Sequence, residues 1–201
     1  MITYHEYEVF SALKLSSKGI ICHEFEECRF ENCEFEAMHL NNCKFIDCAF
    51  VGCCVINPVF DYCTMTGNDF LSCRLFGINW ENLTNGFVGP INHLEKCQLR
   101  YNNFVNLSFP KFVFSGNEIL DSLFGDCNLS HSKFSSCHLS RTEFFRCDLT
   151  GANFENADGY AVDISNCKLK GVTSEHFSTD QTTAISQLTA SSHTTSSQVQ
   201  L

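Results

Sequence analysis

The chain has 201 residues, of which 44% are apolar, and it carries 23 acidic against 13 basic side chains, a formal net charge of −10. This length fits one compact domain or one array of small stacked units. The negative charge argues against direct binding of nucleic acid, because phosphates would repel it. The first twenty residues hold several charges and no apolar run typical of a signal peptide, and no later stretch has membrane-spanning length. We therefore expect a cytoplasmic protein.

An apolar residue recurs at every fifth position from Ile20 to Trp80, and again, one residue out of phase, from Leu94 to Leu169. Only Gly159 in this series is not apolar. So regular a spacing indicates internal repetition, which has to be settled before any other interpretation. We call the recurring apolar residue of each five-residue unit its centre.

The first residues keep this spacing without its full pattern. Phe10 and Leu15 stand at fivefold intervals, but the positions two residues before a centre are charged at Glu8 and Lys18. The open end of stacked strands exposes core and unpaired backbone. We therefore predict that residues 1–19 form an irregular cap that closes the N-terminal end.

Most of the 14 cysteines stand two residues before a centre; Cys22 and Cys54 are the exceptions. Residues two apart in an extended segment point to the same side, so cysteine and centre should both face inward. We predict reduced, buried thiols that act as small hydrophobic side chains. Their spacings are multiples of five rather than the close pairs of zinc sites, and the eight histidines are scattered. We therefore expect no metal and no cofactor.

Two inward residues followed by a bend form one short wall of a coiled strand, so the pattern predicts an all-β solenoid. The segments Cys28-Arg29-Phe30, Cys33-Glu34-Phe35, Cys147-Asp148-Leu149 and Ala152-Asn153-Phe154 resemble the pentapeptide-repeat family. That resemblance implies a right-handed quadrilateral β-helix with residues twenty apart stacked on the same wall. The expected inner columns are Phe25/Phe45/Met65, Phe30/Phe50/Phe70, Phe104/Phe124/Phe144 and Phe114/Phe134/Phe154.

The two phases are separated by residues 81–93, which contain two glycines and a proline and predict a loop or distorted coil. Loops that interrupt a regular scaffold often carry binding residues. Candidates for partner contact are Asn85, Phe87, Val88 and Ile91. The alternative is a bulge that only accommodates the phase slip.

After Leu169 the repeat fades, and we place the end of the β-helix at residue 177. Ser178 to Gln181 is typical of a capping box that begins a short α-helix through about Leu188. The helix is Thr-rich and short, so it needs a packing partner for its apolar face of Ala184, Ile185 and Leu188. That partner is either the last coil or, as we favour, the same helix in a homodimer. The segment 178–201 is thus a candidate dimerisation segment, with a polar tail that is disordered or reaches across the dimer.

No phosphate-binding loop, nucleophile elbow or metalloprotease helix is present in the sequence, so we do not expect an enzyme. Function should then reside on the outer surface, which is acidic. Glu26, Glu31 and Glu36 each follow a centre, and Asp61 should lie one coil from Glu81. Carboxylates repeated along an axis present negative charge as a DNA duplex does. DNA mimicry is the hypothesis that follows.

The segments Leu75-Phe-Gly-Ile-Asn-Trp80 and Tyr160-Ala-Val-Asp-Ile164 resemble the topoisomerase-protection branch of the family, which includes the quinolone-resistance (Qnr), mycobacterial MfpA and albicidin-resistance types. This resemblance implies a DNA-like homodimer that binds DNA gyrase or topoisomerase IV and protects it from an antibiotic or toxin. It would place the carboxylates on gyrase and residues 81–93 as a contact loop. Stacking by twenty also sets Asp121 beside Arg141 and Asp126 beside Arg146, which would neutralise part of the second half. The alternative is a structural or adaptor protein that binds another protein partner.

Overall fold

The computed structural model describes residues 1–16, 19–83 and 89–178, and it divides the chain into two compact units, Met1–Asn103 and Phe104–Leu201. The predicted C-terminal helix with its candidate dimer residues Ala184, Ile185 and Leu188 lies outside the described residues. In the part of the chain that is described, no helix combines the length and apolar character needed to cross a membrane.

The chain forms short strands separated by tight corners. In chain order the N-terminal unit contains β1 (Thr3–Glu6), β2 (Val9–Ser11), β3 (Lys14–Ser16), β4 (Ile20–Ile21), β5 (His23–Glu26), β6 (Arg29–Glu31), β7 (Glu34–Glu36), β8 (His39–Asn41), β9 (Lys44–Ile46), β10 (Ala49–Val51), β11 (Cys54–Ile56), β12 (Val59–Asp61), β13 (Thr64–Thr66), β14 (Asn68–Leu71), β15 (Arg74–Phe76), a 3₁₀ helix (Glu81–Leu83), β16 (Ile91–Glu95) and β17 (Gln98–Arg100). Four further strands follow: β18 (Asn103–Val105), β19 (Glu118–Leu120), β20 (Leu123–Gly125) and β21 (Glu143–Phe145).

Within the N-terminal unit the strands form four walls, ordered β1-β5-β9-β13, β2-β6-β10-β14-β16, β3-β7-β11-β15-β17 and β4-β8-β12. Neighbouring strands in each wall are parallel and mostly twenty residues apart, so that Phe25 lies opposite Phe45 and Phe45 opposite Met65. Successive strands belong to successive walls, so one coil takes four repeats. The architecture is the expected right-handed β-helix.

Left-handed backbone at the residue two after each centre makes the corners. Asn32, Asn42 and Asn57 have φ of 52°, 52° and 46°. Asparagine tolerates this region better than most residues. In the C-terminal unit the centre also accepts a hydrogen bond from the amide three residues later, as Phe134 does from Cys137 at 3.1 Å. This geometry is that of a type II turn. In this unit most neighbouring coils pair through isolated β-bridges instead of strands.

The predicted columns of centres are confirmed. In the N-terminal unit the rings of Phe30, Phe50 and Phe70 stack with centroids 4.8 and 4.9 Å apart. In the C-terminal unit the same stacking joins Phe114 to Phe134 at 4.7 Å and Phe134 to Phe154 at 5.0 Å. These separations match the distance between neighbouring strands, so ring stacking and backbone pairing reinforce each other.

All 14 cysteines are free thiols. Of those that stand two residues before a centre, all are buried except Cys167, which is partly exposed. The prediction of reduced structural thiols is confirmed, but it missed their polar role. Each of these thiols except Cys63 donates to the carbonyl oxygen of a centre in the preceding coil. Cys53 Sγ, for example, lies 3.3 Å from Phe30 O, and Cys127 Sγ lies 3.1 Å from Phe104 O.

Other donors take the place of cysteine at the same position. Asn68 is fully buried, and its Nδ2 donates to Phe45 O at 3.0 Å while its Oδ1 accepts from Cys48 N at 3.0 Å. Thr142 donates through Oγ1 to Ile119 O at 2.6 Å. The position two residues before each centre therefore favours a small side chain that can donate a hydrogen bond, rather than any small side chain.

The first sixteen residues do not form the irregular cap that the sequence indicates. Strands β1, β2 and β3 pair in regular parallel register with β5, β6 and β7, and Phe10 stacks on Phe30 at 5.0 Å. The charged Glu8 does not prevent pairing because the strand needs only backbone groups and an inward ring. Among the described residues, no strand covers the outer edge of this first coil.

The change of phase between the two series is a four-residue insertion. Leu94 lies opposite Phe70, and Leu99 opposite Leu75, so these partners are 24 rather than 20 residues apart. The register shifts between Asn68 and Asp69, where Asn68 N donates to Pro90 O at 3.2 Å. The fivefold count alone cannot distinguish one residue lost from four gained. The insertion therefore lies between Trp80 and Leu94, and the walls resume at β16.

Candidate partner-binding surface

The three carboxylates predicted to act together lie on three different walls. Glu26 ends β5, Glu31 ends β6 and Glu36 ends β7, because each strand belongs to the next side of the coil. The residues paired with them in the next coil are apolar: Ile46 lies opposite Glu26, Val51 opposite Glu31 and Ile56 opposite Glu36. The sequence therefore identifies outward carboxylates, but the structure does not bring these three into one site.

Other predicted acidic residues have local partners. Glu31 pairs with Arg29, whose Nε lies 2.6 Å from Oε1, and Asp61 Oδ2 lies 4.0 Å from His39 Nδ1. Glu81 begins the 3₁₀ helix, where its amide donates to Asn79 Oδ1 at 3.2 Å. The charges of Glu31 and Asp61 are thus partly engaged with neighbouring residues.

The contact loop proposed from the sequence is largely outside the described residues, since Asn85, Phe87 and Val88 fall between residues 83 and 89. Ile91 is described, and it is buried with 4% of its surface exposed, in strand β16 opposite Asn68. Its assignment as a partner contact is therefore wrong. The chain has already rejoined the wall at this residue, so its side chain packs in the core.

A stronger acidic feature lies where the wall of β5 turns into the wall of β6. We call Glu6, Glu26, Glu27 and Asp47 the acidic corner; all are exposed. Glu6 lies opposite Glu26 in the β1–β5 pair. Glu27 and Asp47 occupy left-handed corner positions with φ of 50° each, one coil apart. The carboxylates thus repeat along the coil axis at about 4.8 Å.

Among the described residues, no lysine or arginine neutralises the carboxylates of the acidic corner. None of its four carboxylates forms an ion pair with a lysine or arginine that the structure describes. The hydroxyl of Tyr7 donates to Glu27 Oε1 at 3.3 Å. The charges of Glu27 and then Glu6 raise the pKa of Tyr7 above its usual value, as expected where negative potential opposes a phenolate.

Of this group, only Glu26 was predicted from the sequence. The available signal was the spacing of twenty that relates Glu6 to Glu26 and Glu27 to Asp47. Glu27 and Asp47 stand two residues after a centre, at the corner, whereas the predicted carboxylates stand directly after a centre.

Three acidic residues in the C-terminal unit, Asp121, Asp126 and Asp148, pair with a cation twenty residues later, and stacking by twenty predicts the first two of these pairs. Arg141 holds Asp121 through two hydrogen bonds, one of them from Nη2 to Oδ2 at 2.7 Å. Arg146 Nη2 lies 3.0 Å from Asp126 Oδ1. The pairing of like positions in successive coils therefore neutralises charge at these residues, as it does at Lys14–Glu34 and Lys44–Glu24 of the N-terminal unit but not at the acidic corner.

The deeply buried thiols of Cys48 and Cys137 are not candidates for a reactive site. Among the residues described, no group of three or more His, Cys, Asp and Glu side chains is arranged to hold a metal ion. Burial raises the pKa of Cys48 and of Cys137 to about 12. Thiols of this kind stay protonated near neutral pH, so they are poor nucleophiles and poor metal ligands.

Comparison with solved structures shows the same fold at low sequence identity. The full-length plasmid-mediated fluoroquinolone-resistance protein QnrB1 is 17% identical with a TM-score of 0.51, and the match covers 93% of this chain and 98% of that one. HetL, a pentapeptide-repeat protein involved in heterocyst differentiation regulation from the cyanobacterium Nostoc sp. strain PCC 7120, is 12% identical with a TM-score of 0.47, covering 84% and 87% of the two chains. No curated protein matches the sequence significantly.

Family models account for most of the repeated sequence. A pentapeptide repeat region model matches residues 23–85, and a model of eight pentapeptide repeats matches residues 122–158 and 137–173. The matched segments coincide with the coils seen in both units. On this evidence the chain belongs to the pentapeptide-repeat family.

Proposed function

We propose that this protein is a non-enzymatic DNA mimic that binds DNA gyrase or topoisomerase IV and protects the enzyme from an inhibitor. The observation that carries the proposal is the acidic corner. Its carboxylates repeat along the coil axis and have no cationic partner among the described residues, so they present a negative ridge to a DNA-binding protein.

Two further points support this function. The sequence resembles topoisomerase-protection proteins at residues 75–80 and 160–164, and QnrB1, which shares the fold, is described as a fluoroquinolone-resistance protein. Within the proposal, Glu31, Glu36, Asp61 and Glu81 extend the negative surface around the coil. The segment containing Asn85, Phe87 and Val88 contributes contacts at the insertion.

The test is competition between this protein and DNA for purified gyrase. We expect the double variant Glu26→Lys, Glu27→Lys to weaken gyrase binding at least about tenfold, because it replaces two negative charges with two positive ones. The matched control is Glu118→Lys, Glu143→Lys, which makes the same change in net charge at exposed carboxylates of the C-terminal unit.

The control separates a local site from a general charge effect. Equal weakening by both variants would mean that net charge alone governs binding. Absence of binding by the unmodified protein, with supercoiling and drug sensitivity unchanged at excess protein, would reject gyrase as the partner. We also expect the double variant Asp61→Lys, Glu81→Lys to weaken gyrase binding without unfolding the protein.

A second candidate is an adaptor that binds another protein. Exposed tyrosines favour it: Tyr62 is 88% exposed and Tyr101 is 62% exposed. Tyrosine is enriched at protein interfaces because its ring gives apolar contact and its hydroxyl gives a hydrogen bond. Gyrase-independent binding that is lost in Tyr62→Ala and insensitive to salt would support this function.

Dimerisation through residues 178–188 is part of the proposal for either function. Light scattering should give twice the chain mass for the full protein and the chain mass after truncation at Ser178. A monomeric full-length protein would remove the dimer from the proposal and leave the acidic corner unaffected.

A further inference from the structure

The core of the N-terminal unit contains a cavity of 410 Å³. It extends from the first coil, where His5 and Ile20 line it, to the fourth, where Trp80 lines it. Pockets that bind small molecules have volumes of about 300 to 1,000 Å³, so this space is large enough for a ligand.

The cavity follows from the sizes of the centres. In the third wall Val55 lies between Phe35 and Leu75, and in the fourth wall Leu40 lies between Ile20 and Phe60. An aliphatic side chain in place of a phenyl ring leaves volume unfilled, because the backbone walls are held apart by their own register. The space therefore runs parallel to the coil axis.

The lining is almost entirely carbon. His5 and His23 contribute the polar side chains at one end, where His5 Nε2 lies 2.9 Å from His23 Nδ1. His5 is the centre of the first pentad, and its ring stacks on Phe25 at 4.7 Å. Trp80 also lines the cavity, but its Nε1 donates to Asn102 Oδ1 at 3.0 Å. The polar end thus coincides with the first coil, whose outer edge no described strand covers.

We propose that this cavity binds one unbranched alkyl chain, with its polar head beside His5 and His23 and its methyl end toward Trp80. The column His5, Phe25, Phe45 and Met65 spans three coil spacings, about 15 Å at the usual strand separation. This length suits an extended medium-length chain such as that of lauric acid. Apolar cavities exclude water and accept apolar ligands, as engineered protein cavities do.

The ligand class is a single-chain fatty acid or fatty alcohol. Both have the same chain, and either head can hydrogen-bond with His23 Nε2, because both nitrogens of His5 and Nδ1 of His23 already have partners. Glu8, whose Oε1 lies 3.2 Å from His5 Nδ1, adds negative charge at this end and disfavours a carboxylate relative to a hydroxyl. The site is separate from the acidic corner in chemistry, so it does not depend on the proposed binding of gyrase.

The only tryptophan of the chain provides a direct measurement, since Trp80 lies at the far end of the cavity. Lauric acid carrying a nitroxide near its methyl end should quench Trp80 fluorescence more strongly than lauric acid labelled near its carboxyl group. Quenching should saturate at one chain per protein, below the micelle concentration. Unlabelled laurate and dodecanol should both reverse it, and their relative potency distinguishes the two heads.

A filled-cavity variant gives the second measurement. Val55→Phe restores the ring found at Phe35 one coil earlier, and we expect it to weaken chain binding at least about tenfold. The matched control is Leu149→Phe in the C-terminal unit, which should bind as the unmodified protein does. Circular dichroism confirms that each variant is folded.

Equal quenching by the two labels, quenching that does not saturate, or unchanged binding by folded Val55→Phe would overturn the proposal. If Val55→Phe does not fold, the comparison of the two labels in the unmodified protein decides the question.

Discussion

At the scale of single residues, the most informative feature is the thiol that precedes each centre. It occupies little volume and also donates to a carbonyl of the preceding coil, as Cys127 does to Phe104 O. The same bond is made by the amide of Asn68 and the hydroxyl of Thr142. The sequence pattern predicted that these cysteines are buried, because residues two apart in a strand face the same side. It did not predict the bond, because the acceptor lies 23 residues away.

Replacing Cys127 by threonine or by valine isolates this hydrogen bond. The two variants have nearly the same shape, and only threonine can donate to Phe104 O. We expect the threonine variant to be more stable by about 1 kcal/mol, the usual net value of one hydrogen bond. Urea unfolding monitored by circular dichroism measures the difference. Equal stability would show that the thiol acts only through its volume.

The buried thiols should also make stability depend on alkaline pH. Burial raises the pKa of Cys48 and Cys137 from an ordinary value of 9.0 to about 12. Above pH 9 the unfolded thiols lose protons that the folded ones keep, so the free energy of unfolding should fall as pH rises toward 12. The expected slope is about 1.4 kcal/mol per pH unit for each thiol.

Urea unfolding at a series of pH values measures this slope, and Cys137→Thr provides the control. The variant lacks one of the titrating groups, so its slope should be smaller by the contribution of one proton. An identical slope in the variant would mean that Cys137 ionises as easily in the folded protein as in the unfolded chain.

At the scale of strands and coils, stability comes from columns of stacked rings. The apolar series predicted which residues face inward, and the twenty-residue stacking was predicted from the family resemblance. Both predictions are confirmed. The reason is that the same unit, two inward residues followed by a bend, repeats at each wall. The rule fails where a coil changes length. A fivefold count is the same for an insertion of four and a deletion of one, so the position of Ile91 in the core was not predictable from spacing.

Phe45 is a suitable residue for testing these columns. It is 5% exposed and stacks on Phe25 with centroids 5.0 Å apart. We expect Phe45→Ala to lower the free energy of unfolding by about 3 to 5 kcal/mol, through lost apolar burial and a residual cavity. Denaturant unfolding measures the change. The exposed Glu36→Ala should change stability by less than about 0.5 kcal/mol, and a similar loss in both variants would contradict the assignment of inside and outside.

At the scale of the whole chain, the two compact units differ in whether a cluster of carboxylates lacks cationic partners. Carboxylates of the N-terminal unit gather without cations at the acidic corner, whereas Asp121 and Asp126 of the C-terminal unit are held by arginines. Net charge alone did not predict this division. The pairs of the C-terminal unit were predicted from the spacing of twenty, and the acidic corner required knowing which residues form the corners.

If the acidic corner is what a DNA-binding enzyme recognises, binding should weaken steeply with salt. Screening shortens the reach of exposed charges to about 8 Å at physiological ionic strength. We expect gyrase affinity to fall as salt rises and the Glu26→Lys, Glu27→Lys variant to show a shallower dependence. Titration at several salt concentrations measures both slopes. Affinity that is independent of salt would favour the adaptor function instead.

The four-residue insertion before β16 has a consequence for how such a protein can diversify. Strand pairing is unbroken on the walls that flank the insertion, from β14 to β16 and from β15 to β17. Lengthening a surface connection adds little closure entropy, about 0.6 kcal/mol for each doubling. This point in the chain is therefore where new recognition segments can be acquired or exchanged between lineages while the strands on either side keep their alignment.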